Sequence, residues 1–301
     1  MLTAMKIIQL DQPIDDPQRA EHLFRGELLV FRNIPAMRQL IDRTDQLLRD
    51  KLSGLDPVRA QHRLSPQDFL QLTGEVQSEF RKSQWPKDLF FAALQQCGVE
   101  LSETFYDHFP LRVVPFDRDS DGSHNGAHRA AIGHHRDSWG ANIFSQINWW
   151  APIYSLEAER SIAFYPDYWD RPLANNTDSW CFEDYLAERR KVPEERRSAY
   201  PSAPQPLEVV DESGVEKILI EPGDILCFAS AQLHASVPNS TDATRFSVEM
   251  RTINRQDLQA GRAAPNVDNA ATTPMHRWFR GIVDKQPLEL KIESISPTRK
   301  V

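Results

Sequence analysis

Two rhythms of apolar residues divide the chain. From Ala36 to Leu52 they fall at Met37, Leu40, Ile41, Leu47 and Leu48 with charges between them, the spacing of a helix that buries one face. Ser65-Pro66-Gln67-Asp68 has the composition of a helix start, a capping serine followed by proline at the first helical position. Lys87 to Cys97 repeats the helical spacing and stops at Gly98, a residue type that closes helices because left-handed backbone costs it little. A short apolar run, Glu27 to Arg32, predicts one strand within this otherwise helical first part.

Beyond about residue 100 the pattern shortens. Phe109–Phe116, Ile143–Tyr154, Ser161–Tyr165, Ile218–Ile220, Ile225–Ala229 and Arg245–Ile253 all read as strands. Glu221-Pro222-Gly223-Asp224 is a turn with proline second and glycine third, leading into one of them. Many short strands broken by such turns predict a mainly β fold with flanking helices, a double-stranded β-helix or jelly roll of the cupin kind. The organisation expected is one domain over residues 1–301. Residues 1–104 form a mostly helical support, 105–255 the β core, and 256–301 a helix near Met275–Val283 with a charged tail. An insertion at 166–209, with a charged helix near Glu183–Arg197, is expected to wall the mouth of the barrel.

Composition narrows the function classes. The chain has 301 residues, 40% hydrophobic and 26% charged, with a formal net charge of −8. That acidic balance predicts neither nucleic acid nor an anionic membrane as partner. Three scattered cysteines, Cys97, Cys181 and Cys227, form no C-x-x-C pair, which argues for a reducing compartment and against a zinc–thiolate site. The N-terminus lacks a cleavable apolar core and no apolar run approaches membrane-spanning length, so a cytoplasmic location is expected.

The chemistry concentrates in Gly133-His134-His135-Arg136-Asp137. In extended chain, side chains two apart share a face, so His135 and Asp137 can hold one metal ion from one side. His234, where the strand after the 221–224 turn leaves the core, is the best third ligand. Two histidines and one carboxylate on one face of a metal form the site of non-haem Fe(II) oxygenases. His134 would turn towards the core only after a one-residue slip; packing or an outer substrate contact is the expected role. Eleven residues after His234 stands Arg245, with Ser247 on the same face. A guanidinium fork and a hydroxyl suit the far carboxylate of 2-oxoglutarate. The plainer alternative is that Arg245 pairs with Glu249 or Asp242.

Gly223-Asp224, Phe228, His234, Ser236, Asn239 and Arg245, in that order, resemble the distal motif of the phytanoyl-CoA dioxygenase-like family. His135-Arg136-Asp137 followed by a strand ending Trp149-Trp150-Ala151-Pro152 continues the likeness, over roughly residues 105–255. The resemblance implies an Fe(II)/2-oxoglutarate-dependent oxygenase, with Trp149 beside the co-substrate and O2, succinate and CO2 in the reaction. It also implies hydroxylation of a small-molecule substrate, because family members that halogenate lack the carboxylate. On the same strand Gln146, Asn148 and Trp150 share one face. If that face looks inward, Gln146 serves the co-substrate, and Asn148 and Trp150 the substrate; the opposite orientation remains open. Arg251 shares a face with Arg245 and is a further substrate contact, or an ion-pair residue. A cupin metalloenzyme without 2-oxoglutarate, or a barrel that binds without turnover, are the competing readings.

Overall fold

The computed structural model describes residues 5–116, 132–192 and 202–289. The loop at Ser123–His128, the outer end of the charged helix to Arg197 and the last tail residues lie outside them.

Two sheets face each other. The larger contains β1 (Ile7–Leu10), β2 (Leu28–Phe31), β3 (Thr104–Tyr106), β4 (Leu111–Val114), β5 (Gln146–Pro152), β8 (Ile225–Ala229), β10 (Arg245–Asn254) and β11 (Arg280–Gly281). Its order is β1-β2-β8-β5-β10-β3-β11, and β4 also pairs with β10. Only β1 and β2 run parallel. The smaller sheet is β7 (Glu216–Ile218), β6 (Ile162–Phe164) and β9 (His234–Ser236), in that order. The fold is mainly β with flanking helices and a double-stranded β-helix core.

Alternation along the strands explains the layers. Ile147, Trp149 and Ala151 of β5, Ile225, Cys227 and Ala229 of β8, and Phe246, Val248 and Met250 of β10 join the main core. That core is closed by α1 (Asp16–Leu23), α2 (Pro35–Lys51), α3 (Pro66–Lys82) and α4 (Trp85–Gln96). The intervening residues Trp150, Leu226 and Phe228 point to the smaller sheet and pack with Ile162, Phe164 and Ile218.

The helices form where their sequence signals stand. Ser65 accepts the Asp68 N–H at 3.1 Å and caps α3, whose Pro66 costs no hydrogen bond at the first position. After α4, Gly98 has φ +88°, and a Cβ there would collide with the Ile14 carbonyl.

Three elements differ from expectation, β1 among them as a second strand in the first part of the chain. Residues Met275–Val283 form no helix but a single turn, His276–Trp278, followed by β11. The physical reason is the open edge of β3: Ile282 N–H donates to Thr104 O at 2.9 Å, and Phe279 becomes fully buried in a side cluster with Phe105. The charged helix α6 (Phe182–Lys191) buries none of its residues, and α5 (Asp137–Ala141) is a short helix in a stretch whose pattern shows none. Among the described residues no helix is long and apolar enough to cross a membrane.

Candidate metal centre

His135 and His234 are brought together by backbone. They form an isolated antiparallel bridge, each N–H donating to the other's carbonyl at 3.0 Å, and their rings lie 4.2 Å apart. Asp137 follows after one extended residue, at the start of α5. Its Oδ1 is 3.9 Å from His135 Nε2 and its Oδ2 is 4.0 Å from His234 Nε2. One ligand atom from each residue fits within 4.8 Å of the others.

Tautomers are fixed by local carbonyls. His135 Nδ1 meets Gly133 O at 2.8 Å, and His234 Nδ1 meets Gln232 O at 3.0 Å. A carbonyl only accepts, so each Nδ1 carries the proton and each Nε2 offers its lone pair to the shared centre. Burial, then the neighbouring His135, lowers the His234 pKa to about 4, so it is neutral at ordinary pH. Burial alone would raise Asp137, but Arg251, both histidines and Asn148 hold it below the usual carboxylate range. Two imidazole Nε2 atoms and one carboxylate, facing one point, are a set that suits a divalent transition metal.

The residue between the two ligands on this segment is turned away and locked. Arg136, 1% exposed, donates to Asp268 Oδ2 at 3.0 Å, to Tyr168 O at 2.6 Å and to the Ala231 carbonyl. Asp268 also accepts from Trp139 Nε1 at 2.7 Å and Leu173 N–H at 3.1 Å. This fixes the backbone from which His135 and Asp137 project.

A cleft of about 710 Å3, its open mouth included, runs from this centre between the sheets. Deep in it lies Arg245, 4% exposed. It pairs with neither Glu249 nor Asp242, which are taken by Arg112 and Arg59. Its Nη1 donates to Ser161 O and its Nη2 to Ser236 Oγ at 3.0 Å, while Nε has no partner among the described residues. Ser247 Oγ, beside it on β10, is also buried and unpartnered. Burial, then the nearby Arg112, lowers the Arg245 pKa to about 10.

Other expected residues divide. Asn148, Trp150 and Arg251 line the cleft. Gln146 does not: its Nε2 donates to Asn148 Oδ1 at 3.1 Å, one layer behind. Trp149 borders the cleft but its ring does not serve it. The indole lies against Phe31 and under Arg19, with Nε1 donating to Thr252 Oγ1 at 2.8 Å, because it alternates to the helix-covered face. His134 also turns away, its Nε2 meeting Tyr165 Oη at 2.9 Å and Glu212 Oε1 at 3.1 Å.

His108, Arg112 and Glu249 of the cleft wall, and Asp107 behind it, went unread as such. Glu249 takes the inward position between Ser247 and Arg251, and alternation alone would have placed it there. Asp107 and His108 follow β3 in a loop, where no periodicity announces an inward carboxylate.

No protein-family model matches the chain, that of the phytanoyl-CoA dioxygenase-like family included, and no curated protein matches it. Solved structures do. EvdO2 from Micromonospora carbonacea var. aurantiaca, complexed with 2-oxoglutarate, is similar at 14% identity and TM-score 0.42, over 82% of this chain and 94% of that one. The non-heme monooxygenase ThoJ is similar at 13% identity and TM-score 0.41, over 79% and 76%. The non-heme alpha ketoglutarate dependent epimerase SnoN from nogalamycin biosynthesis is similar at 12% identity and TM-score 0.37, over 79% and 84%.

Proposed function

We propose that this protein is an Fe(II)/2-oxoglutarate-dependent oxygenase that hydroxylates, or otherwise oxidises, a small molecule. The observation that carries the reading is Arg245. A guanidinium this deeply buried, without a carboxylate partner among the described residues, is costly unless a ligand supplies the anion. Its free Nε and the unpartnered Ser247 Oγ offer two donors side by side, in the same cleft as the three metal ligands. That socket fits the far carboxylate of a 2-oxo diacid whose other end chelates a metal. An isomerase or direct dioxygenase has no use for it.

In this reading His135, Asp137 and His234 would hold iron on one face and leave the opposite positions open. Bound iron would supply the chemistry by which O2 oxidatively decarboxylates 2-oxoglutarate to succinate and CO2, one oxygen atom entering succinate and the other the substrate's C–H bond. The chain's own part is placement. Ser236 aims Arg245, Arg245 and Ser247 grip the co-substrate, and Trp150, Phe228 and Ile162 keep that end dry. The cleft wall also carries His108, Arg112, Glu249 and Arg251, so the substrate it faces is polar. No charged group among the described residues points to one particular substrate.

The test is an anaerobic titration. Fe(II)-loaded protein is expected to develop the weak visible absorption of the 2-oxoglutarate chelate. Arg245→Gln should bind Fe(II) normally yet weaken 2-oxoglutarate by about 2–5 kcal/mol, the range for losing one side of a buried charge pair. Equal 2-oxoglutarate affinity in the two proteins would remove the co-substrate assignment.

A further inference from the structure

The Asp137 carboxylate is held from two sides by neighbours on adjacent strands. Asn148 Nδ2 donates to Oδ2, and Arg251 Nη1 meets Oδ1 at 3.4 Å. Asn148 and Arg251 are directly paired residues of β5 and β10, so the sheet register itself sets this grip. Each is fixed in turn. Gln146 holds the Asn148 amide by its oxygen, which turns the amide nitrogen towards Asp137. Arg251 Nε donates to Asp107 Oδ2 at 2.6 Å, and its Nη2 pairs with the same oxygen. The Asp107 side chain is fully buried, and Arg251 is its principal countercharge, with His108 Nδ1 2.7 Å away. Glu249, an acid on this wall, is hydrogen-bonded to Arg112 and acts on Arg251 only through space, after Asp107 and Asp137.

The two grips are unequal. Asn148 engages Oδ2 closely, whereas Arg251 stands off Oδ1 because its shorter bonds go to Asp107. An arginine with no second carboxylate would close on Asp137 and compete with a metal for it. We propose that Asn148 and Arg251 are positioning residues that leave Oδ1 of Asp137 as the single oxygen presented to the metal. In the same arrangement Asp107 sets metal affinity by holding Arg251 back. The inference rests on the metal-site reading above.

The experiment is a Co(II) titration of the full chain, followed through the visible d–d bands and by calorimetry. Changes in the groups that orient metal ligands cost about 10–100-fold in affinity. Asp107→Asn should lower Co(II) affinity about tenfold or more, because Arg251 then has only Asp137 to neutralise. The double variant Asp107→Asn/Arg251→Gln should return to within about threefold of wild type, since the competing cation is gone. A merely structural Asp107 would not be rescued by removing its partner. Asn148→Leu should lower affinity about tenfold and change the d–d intensity, as the freed Oδ2 alters coordination. Wild-type affinity in Asp107→Asn, or a double variant no better than the single one, overturns the proposal. If Asp107→Asn does not fold, Asn148→Leu decides: wild-type affinity with unchanged bands overturns it. Wild-type protein that takes up no Co(II) removes the metal-site reading and this inference together. Wild-type protein that binds Co(II) no better than the single variants Asp107→Asn and Asn148→Leu removes this inference alone.

Discussion

At Ser247 a hydroxyl is buried with no partner among the described residues, and that makes it informative. A hydroxyl kept for stability would be hydrogen-bonded within the protein; this one is 0% exposed and unpaired beside Arg245. Ser247→Ala should therefore leave the ligand-free protein as stable as wild type or slightly more so. It should weaken 2-oxoglutarate by about 1 kcal/mol, the net value of one hydrogen bond. Denaturant midpoints and the chelate titration read the two effects separately, and a loss of stability without loss of affinity would assign Ser247 to packing. Asp137→Ala should abolish measurable Fe(II) uptake in the same assay. Individual residues were legible wherever backbone period decides direction. His135 and Asp137 share a face because one extended residue separates them, and Arg245, Ser247 and Arg251 follow the period of β10. Trp149 borders the cleft with its indole turned to the helices, and two adjacent tryptophans look alike in a sequence. Only the register shows that Trp150 faces the cleft and Trp149 the helices. The partners of Arg251 could not be read at all, since Asp107 reaches it from a loop 144 positions away in the chain.

At the scale of elements, the segment carrying two of the three ligands is held by a side chain pointing the other way. Arg136 fills the gap between Ala231, Tyr168 and Asp268, and both members of the Arg136–Asp268 pair are nearly fully buried. Removing one partner of such a pair strands the other charge and costs roughly 3–5 kcal/mol. Asp268→Ala should lose about that much stability in urea titrations. It should also loosen the metal site, since the 135–137 backbone loses its anchor. Unchanged Co(II) affinity in a destabilised variant would separate the anchor from the site. The elements themselves were largely legible. Helices α2, α3 and α4 carry their periodicity in plain sequence, α3 its capping Ser65 and Pro66 and α4 its closing Gly98, and β8 and β10 are apolar or alternating throughout. The failures have a common cause. β1 is half exposed, α5 is one short turn of mixed residues, and the Met275–Val283 stretch takes the conformation that the free edge of β3 offers it. In each case a tertiary partner, not local propensity, selects the structure.

Across the whole molecule, the cleft gathers acids as well as arginines, and this ties its integrity to pH. Burial alone would raise the pKa of Asp107, but Arg251 and then His108 overcome it and hold the carboxyl well below the usual range. Glu249 is likewise lowered, with Arg112 outweighing the cost of its burial. A carboxyl depressed in the folded state gives stability that is fully present above its unfolded pKa, near 4, and lost as pH falls through the folded value. Below about pH 4 the unfolded chain binds protons that the folded cleft refuses, so acid should unfold the protein steeply. Net charge acts in two stages: from −8 at pH 7 protonation first relieves self-repulsion, and below the isoelectric point near 5.6 it builds positive charge that repels again. The part that belongs to a paired carboxylate is therefore read from the difference between wild type and a variant lacking it. Urea midpoints measured from pH 7 down to pH 3 should fall for wild type. For Asp107→Asn they should start lower at pH 7, because Arg251 has lost its buried partner, and then decline less steeply, because one depressed carboxyl is missing. Parallel pH profiles for the two proteins would show that Asp107 titrates alike in both states. The acid sensitivity would then lie with Glu249 and Arg112, where Arg112→Met should abolish the same part of the slope.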